Sequence, residues 1–542
     1  MDKMAILGRR RTPPIVLLTT LFFIFISSAS AAILGIDLGT EYIKAALVKP
    51  GIPLEIVLTK DSRRKEAATV AFKPAGKADP FPERVYGSDA VALAARFPDS
   101  VFPNLKPLLG VTEGDPRIAE YKTRRPMLEL GIDQTRHTVN FRSGLFENPE
   151  TFLVEELLAM ELQNIRVNAE VMAGKGAVVR DAVITVPAFY TIDEKRAVEL
   201  AAELAGIKVV ALLSDGLAVG LNYATSRTFP SINDGASPEA HLVFDMGAGS
   251  TTATVVRFQG RTVKDVGKLN KTVQEVAVLA TAWDRTLGGD ALNTVIADDI
   301  VAELASSPKA KQVSLASASV KAHARANARI LKEAERVRQV LSANTETVAG
   351  FEGIYEDVDF RYKLSRSKFE GMTTSFADRV SAVIEKALAN ARLSMAELDS
   401  VILHGGVIRT PFVQKQLEKA VGDAAKLRSN VNSDEAAVFG AAFKGAGMSA
   451  SFRVKEIRTN DCSNYAVGMQ WEADGKGECP AASSRRRVLL TVLQIDRRGY
   501  SYPSHRPAST RRFLSSRRKT LPLIFTKSFP PRTLPPILRR SL

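Results

Sequence analysis

Apolar positions in this chain switch between two periods. Runs of consecutive apolar residues fit buried strands, and three-and-four spacing fits helices. Ile33-Leu-Gly-Ile-Asp37 and His241-Leu-Val-Phe-Asp245 are two strand runs that end on an aspartate before a glycine turn. Asp181-Ala-Val-Ile-Thr-Val is a third, stopped by Pro187. The Ala, Leu and Val spacing from Glu194 to Ala205 predicts a helix ended by Gly206, and Lys208-Val-Val-Ala-Leu-Leu213 predicts another buried strand. Leu315 to Leu341, rich in Ala, Lys, Arg and Glu, reads as one long helix. Asp399-Ser-Val-Ile-Leu-His404 is a strand running into Gly405-Gly406, with Arg409-Thr-Pro411 opening the next helix. Strands alternating with helices over this length predict an α/β protein.

The repeated turn carries the chemistry. Asp37-Leu-Gly39-Thr40 and Asp245-Met-Gly247-Ala-Gly249-Ser250 place glycines where backbone N–H groups can approach a phosphate, with hydroxyls beside them. The aspartates can hold a cation through its water shell, because Mg²⁺ keeps several waters. One such turn is ordinary chain-reversal chemistry. Two in matching strand contexts, a domain apart, predict a two-lobed nucleotide-binding protein. Taken alone, Glu335 and Arg338 read as a helical ion pair, Ser342 as a helix-end hydroxyl, and Gly405-Gly406 as a strand-to-helix turn.

Composition changes this picture in two places. With 45% apolar and 25% charged residues the chain is ordinary for soluble domains, but its formal charge is +15. The segment 481–542 holds 13 of the Arg residues, two Lys and one Asp, so the excess charge lies in the tail and the body is close to neutral. No nucleic-acid partner is expected from such a body. At the other end, Lys3 and Arg9-Arg10-Arg11 precede an apolar run from Ile15 to Ile26 and then Ala29-Ser-Ala31. That is the layout of a secretory signal cut after Ala31. The run is shorter than the roughly 20 residues a span needs, so no membrane anchor is expected. Cys462 and Cys479 are the only cysteines and leave the main body without a disulfide framework, while Asn270-Lys-Thr272 is a glycosylation acceptor pattern.

An ordered set of motifs between Ile33 and Gly447 resembles the 70-kilodalton heat-shock chaperone family. They are Gly35-Ile-Asp-Leu-Gly-Thr40, Ile184-Thr-Val-Pro-Ala-Phe189, Phe244-Asp-Met-Gly-Ala-Gly-Ser250, Leu287-Gly-Gly-Asp290, Glu335-Arg-Val-Arg338-Gln-Val-Leu-Ser342, His404-Gly-Gly406 and Asn432-Ser-Asp434-Glu-Ala-Ala-Val-Phe-Gly440-Ala-Ala. The resemblance implies an α/β, two-lobed actin-like ATPase fold binding ATP or ADP with Mg²⁺. It implies that Gly39, Thr40, Glu41 and Tyr42 surround the phosphates from the first lobe and Gly247, Gly249 and Ser250 from the second. Asp37 and Asp245 would stand near the metal and its waters. Glu335, Arg338 and Ser342 would line the adenosine pocket, closed by Gly405, Gly406 and Arg409, with Asp434 near the sugar or phosphates.

Several positions depart from the hydrolysing members. The reading places Val91 where a lysine that positions the attacking water is usual, and losing such a contact costs about 10²–10³ in rate. Ser214-Asp215-Gly216 replaces Asn-Glu-Pro, Thr252 replaces an aspartate, and Val407 replaces a hydroxyl. Asp37, Asp215 and Asp245 remain as candidate catalytic carboxylates. These departures and the secretory address look most like the large lumenal branch, the glucose-regulated 170-kilodalton or hypoxia up-regulated chaperones. That branch implies an ATP-binding chaperone of the endoplasmic reticulum lumen. Its expected partners are unfolded polypeptides and the conventional lumenal heat-shock chaperone, for which it acts as nucleotide-exchange factor. The alternatives are a slow ATPase driving polypeptide release and a sugar-kinase-like phosphotransferase.

The expected organisation is a signal peptide at 1–31 and an actin-like domain at 32–447, with lobes of about 32–225 and 226–447. A segment at 448–480 would carry the first strands of an incomplete β-sandwich, Phe452–Ile457 and Tyr465–Trp471, and a disordered basic tail would occupy 481–542. The Arg/Ser/Pro-rich tail has no helical or strand period. It reads as an out-of-frame or unspliced extension, and it ends in Arg-Arg-Ser-Leu542 without a lumenal retention tetrapeptide.

Overall fold

The computed structural model describes residues 32–465 except 77–80, 147–149, 266, 268, 313–315 and 429–430. The signal-peptide and basic-tail expectations, and the strand expected at Tyr465–Trp471 beyond its first residue, lie outside the described residues.

Two six-stranded sheets are built on one plan. In the first, Ile33–Leu38 pairs antiparallel with Tyr42–Lys49, which pairs with Ile52–Ile56; on the other side it pairs parallel with Asp181–Val186, followed by Lys208–Ser214. In the second, Glu239–Met246 takes the central place, with Thr251–Lys264 and Asn270–Asp284 antiparallel on one side and Ser400–His404 and Leu427–Arg428 parallel on the other. The duplicated turn in the sequence is thus the visible part of a duplicated topology. Every residue of Ile33–Leu38 is buried, as a central strand covered on both faces requires.

The helices cross between the sheets. Asp215–Thr225 follows the last parallel strand of the first sheet yet packs on the second, where a Cβ on Gly216 would meet the Thr254 side chain at 2.2 Å. Ala436–Met448 packs back on the first sheet, where a Cβ on Gly35 would lie 2.4 Å from the Ala442 nitrogen. Where these two helices touch, a Cβ on Gly440 would lie 1.9 Å from the Ala218 carbonyl oxygen. Leu213, Leu217 and Val183 share a buried cluster with Val243, Val256, Ile402, Ala437 and Ala441. A division of the chain at 225 therefore separates the strands of the two lobes but not the helices that cover them.

Local signals act as physical chemistry demands. Thr191 and Glu194 form a reciprocal cap at the start of Ile192–Leu204, with Thr191 N–H donating to Glu194 Oε2 at 2.7 Å. The helix expected over Leu315–Leu341 is interrupted. Ser317–Ala322 and Ala324–Leu341 meet at His323, whose backbone is extended (ψ 112°) and whose Nδ1 accepts from the Ala326 N–H at 3.2 Å. A side-chain cap has replaced a backbone bond there.

Phe452–Ile457 does not open a sandwich. Only Ile457 is in a strand, and Ile457–Asn460 pairs parallel with Gln274–Ala277 as the sixth strand of the second sheet. Beyond it, Asp461 accepts from the Ser214 backbone N–H and hydroxyl at 3.2 and 3.0 Å, and the Tyr465 hydroxyl donates to the Phe189 carbonyl at 2.5 Å. Cys462 has no disulfide partner among the described residues, and burial together with Asp461 pushes its thiol up to about 11. No helix among the described residues is long and apolar enough to cross a membrane.

Candidate functional site

The two glycine turns face each other. In the first, Gly39 N–H donates to the Asp37 carbonyl at 3.1 Å, and a Cβ on Gly39 would strike the Tyr42 carbonyl oxygen at 2.2 Å. In the second, Gly247 N–H donates to the Ser250 carbonyl at 3.0 Å. Leu287-Gly-Gly-Asp290 backs that turn: Gly289 and Asp290 N–H groups donate to the Gly247 and Ala248 carbonyls at 3.0 and 2.8 Å, and the Thr251 hydroxyl donates to the Leu287 carbonyl at 2.7 Å. A Cβ on Gly249 would lie 2.6 Å from Thr40 Oγ1, so the turns approach closely enough to grip one polyphosphate between them.

Beneath the turns lies an acidic floor. Asp37 is buried, with Oδ2 2.6 Å from Lys44 Nζ and Oδ1 accepting from the Thr185 hydroxyl at 3.1 Å. Burial works against its charge, yet Lys44, with His404 and Lys106 further off, holds the carboxyl below its ordinary value. Asp215 Oδ1 is buried and has no hydrogen-bond partner among the described residues. Burial, helped by Asp245 and Asp37 and opposed by Lys106, pushes its carboxyl up to about 6. Asp245 Oδ1 lies 3.1 Å from His404 Nδ1, a charge contact without hydrogen-bond alignment. Burial would discharge this histidine, but Asp245 and Asp37 together hold its pKa above the ordinary value. Oxygen donors of this kind, one of them unpartnered, suit Mg²⁺, which holds part of its water shell. Asp245 and Asp215 could reach such waters, with Asp37 behind them already paired.

Val91 stands on the helix Gly87–Leu93 in the wall of a cavity of about 250 Å³, beside Thr69, Val101 and Leu128, and Glu41, Asp290 and Glu335 of the candidate site line the same cavity. The lysine whose charge bears on both Asp37 and Asp215 is Lys106, at the start of the short 3-10 turn Lys106–Leu108. Of the other departures, Thr252 is buried directly opposite Asp245 in the strand pair, and Val407 is buried against Gly289.

The adenosine side is assembled from the helix Ala324–Leu341 and the Gly405-Gly406 turn. Arg338 is buried and donates from Nε to Asn293 Oδ1 at 2.7 Å, so it does not form the exposed ion pair with Glu335 that the spacing alone suggests. Burial lowers the Arg338 pKa and raises that of Glu335, each opposed by the other's charge. Ser342 caps the helix end, its hydroxyl donating to the Arg338 carbonyl at 3.4 Å. Glu41 accepts from Asn104 Nδ2 at 2.8 Å; burial, with Glu335 and Asp290, pushes its carboxyl up to about 8. Burial, with Glu335 and Glu41, pushes the Tyr42 hydroxyl up to about 12, and Lys65 lies 4.1 Å over its ring.

Gly405 has φ +88°, and a Cβ there would meet the Met246 carbonyl oxygen at 2.3 Å, so this turn needs glycine. Arg409 pairs with Asp434 at 2.6 Å and donates to the Ser433 hydroxyl at 2.9 Å. Burial opposes the charge on Asp434, but Arg409 holds its carboxyl below the ordinary value. Across the mouth, Arg124 pairs with Asp290 at 2.8 Å, and Asn327 Nδ2 donates to the Arg124 carbonyl at 3.0 Å, tying the lobes together. Glu41 and Glu335, from the two lobes, line one cavity. Sequence reasoning missed Lys44, Lys106, Thr185, His404, Arg124 and Asn104. The signal for Lys44 was present, a lysine inside an otherwise apolar strand.

With this geometry in place, the comparisons agree. The family model described as Hsp70 protein matches residues 33–481. Hypoxia up-regulated protein 1 of Danio rerio is 38% identical over 463 residues, covering 85% of this chain and 45% of that protein. That of Xenopus laevis is 37% identical over 466 residues, covering 86% and 68%. The human protein of that name is 35% identical over 468 residues, covering 86% and 44%. The chain spans about half the length of most of these relatives.

Proposed function

Because the chain belongs to the Hsp70 family, in the branch of the hypoxia up-regulated proteins, we propose that it is an ATP-binding chaperone that promotes nucleotide exchange on a conventional Hsp70 partner in the endoplasmic reticulum lumen. Membership of the family implies nucleotide binding with Mg²⁺. The observation that carries the reading to these residues is the apposition of Gly249 and Thr40 above Asp37, Asp215 and Asp245. Gly39, Thr40, Gly247, Gly249 and Ser250 hold the phosphates, and Asp245 with Asp215 faces the cation's waters. Glu335, Arg338, Ser342, Gly406 and Arg409 border the nucleoside, and Asp434 orients Arg409. The lumenal address rests on the signal pattern ahead of Ala32.

Release of labelled ADP from the conventional lumenal chaperone tests the exchange reading, using a fragment of residues 32–465 so that the sixth strand of the second sheet is kept. ATP-dependent acceleration is expected. No acceleration by a fragment that binds ATP would remove the exchange role.

Lys106 favours a second activity, slow hydrolysis by the same site. A cation whose charge acts on Asp37 and Asp215 can hold a water against a phosphate, and a preorganised contact of this kind is worth about 10²–10³ in rate. Lys106→Met is expected to abolish single-turnover hydrolysis while leaving ATP affinity within a few fold. Val91→Lys is expected to raise turnover, because Val91 lines a cavity shared with Glu41, Asp290 and Glu335 of the site. No gain from Val91→Lys would mean that the other departures, Asp215 among them, also limit hydrolysis.

A further inference from the structure

Lys44 lies within the strand Tyr42–Lys49, among the buried Ile43, Ala45, Ala46, Leu47 and Val48, whereas the other lysine, Lys49, stands at the strand end. In the strand pair it stands directly opposite Asp37. Its ammonium lies 2.6 Å from Asp37 Oδ2, and both side chains are almost wholly removed from solvent, at 13% and 9% exposure. Asp245 and Asp434, which come from the second lobe, also act on its charge. Carboxylates of both lobes thus act on one ammonium held on the first sheet. An ammonium has three donors, and among the described residues Asp37 uses one of them.

This arrangement is expensive if it is only structural. Replacing a buried ion pair by apolar groups is often neutral or stabilising, so the pair is weak support for the fold itself. It is useful where a polyanion must approach three carboxylates. A nucleotide tail entering between Thr40 and Gly249 meets Asp37, Asp215 and Asp245 below, and only a cation makes that approach favourable.

We propose that Lys44 is a nucleotide-positioning residue: its tethered ammonium, anchored by Asp37, donates to the polyphosphate and replaces part of the charge otherwise supplied by a dissociable divalent cation. This rests on the nucleotide-binding reading above. Its consequence is a protein that keeps di- and triphosphate nucleotides when Mg²⁺ is withdrawn. Asp37 then serves chiefly to hold the lysine, and Asp245 and Asp215 are left to face the metal's waters.

Calorimetric affinities for ADP, ATP and adenosine, each with Mg²⁺ and with EDTA, test this in the wild type and in Lys44→Met. Chelation is expected to weaken ADP binding to the wild type by no more than about tenfold, and to Lys44→Met by about 100-fold or more, since a charge-assisted contact is among the stronger ones. Adenosine affinity is expected to stay unchanged. Equal weakening of both proteins by EDTA, or a parallel loss of adenosine binding, would make Lys44 a structural residue and overturn the proposal. If Lys44→Met leaves Asp37 uncompensated and the chain unfolded by circular dichroism, Lys44→Met with Asp37→Asn removes the buried charge and is read against Asp37→Asn alone. Failure of the folded wild type to bind ADP even with Mg²⁺ would overturn the nucleotide reading as well.

Discussion

Gly249→Val is expected to weaken ATP and ADP binding by at least about 100-fold, a loss of roughly 2.7 kcal/mol, while the protein stays folded. A Cβ at this position meets Thr40 Oγ1 at 2.6 Å, Cγ2 at 3.2 Å and Cβ at 3.3 Å. Threonine is branched at Cβ and stiff at χ1, so it cannot swing aside as a long side chain would. Only separation of the two turns relieves the overlap, and separation removes the second set of phosphate donors from reach of the first. Both turns lie at the cleft surface, where Thr40 and Gly249 are half-buried, so the core has no part in the clash. Calorimetric titration with ADP reads the effect, and Gly249→Ala should fall between the two. Unchanged affinity in the valine variant would mean that the phosphates do not pass between these turns.

The second large effect is on stability. Gly440→Val is expected to destabilise the domain by about 3 kcal/mol, at the upper end for overpacking. Two forces oppose each other there. Gly440 lies in the middle of the helix Ala436–Met448, and replacing a helical glycine gains up to about 1 kcal/mol of propensity, less for a β-branched residue. Against that, the first added carbon would lie 1.9 Å from the Ala218 carbonyl oxygen and 2.6 Å from its carbon, and these are backbone atoms of a buried helix that has nowhere to move. The clash outweighs the propensity. Because the two helices are where the lobes interlock, the urea midpoint and ADP affinity should fall together. A midpoint equal to the wild type would show that the crossing can relax, and would weaken the account of how the lobes are joined.

The features legible in the sequence were those whose causes are local. A phosphate turn needs glycine and a hydroxyl within a few residues, so both turns could be found by reading. Thr191, Glu194 and Gly206 likewise mark a helix start and stop by contacts with near neighbours. What escaped were partnerships made by distant segments. The charge of Lys106 acts on Asp37 and Asp215 only because of the route the chain takes to reach them, and no short pattern records that route. His404 reads as the end of a strand until the parallel pairing with Glu239–Met246 sets it against Asp245. Phe452–Ile457 has the alternation of a strand, but its partner is 180 residues away in sequence and alternation does not name partners.

The strand Ile457–Asn460 has a further consequence. Without it, Asn270–Asp284 would be the outer strand of its sheet, long and regular, with a row of N–H and C=O groups facing outward. Such a margin is a template on which another chain can add, the first step towards aggregates. Four residues paired with Gln274–Ala277 occupy part of it, and the opposite margin is limited to the two-residue strand Leu427–Arg428. The segment that leads out of the nucleotide-binding domain is therefore also what keeps copies of that domain from joining sheet to sheet, and a molecule cut before Ile457 loses this protection while keeping every residue of its cleft.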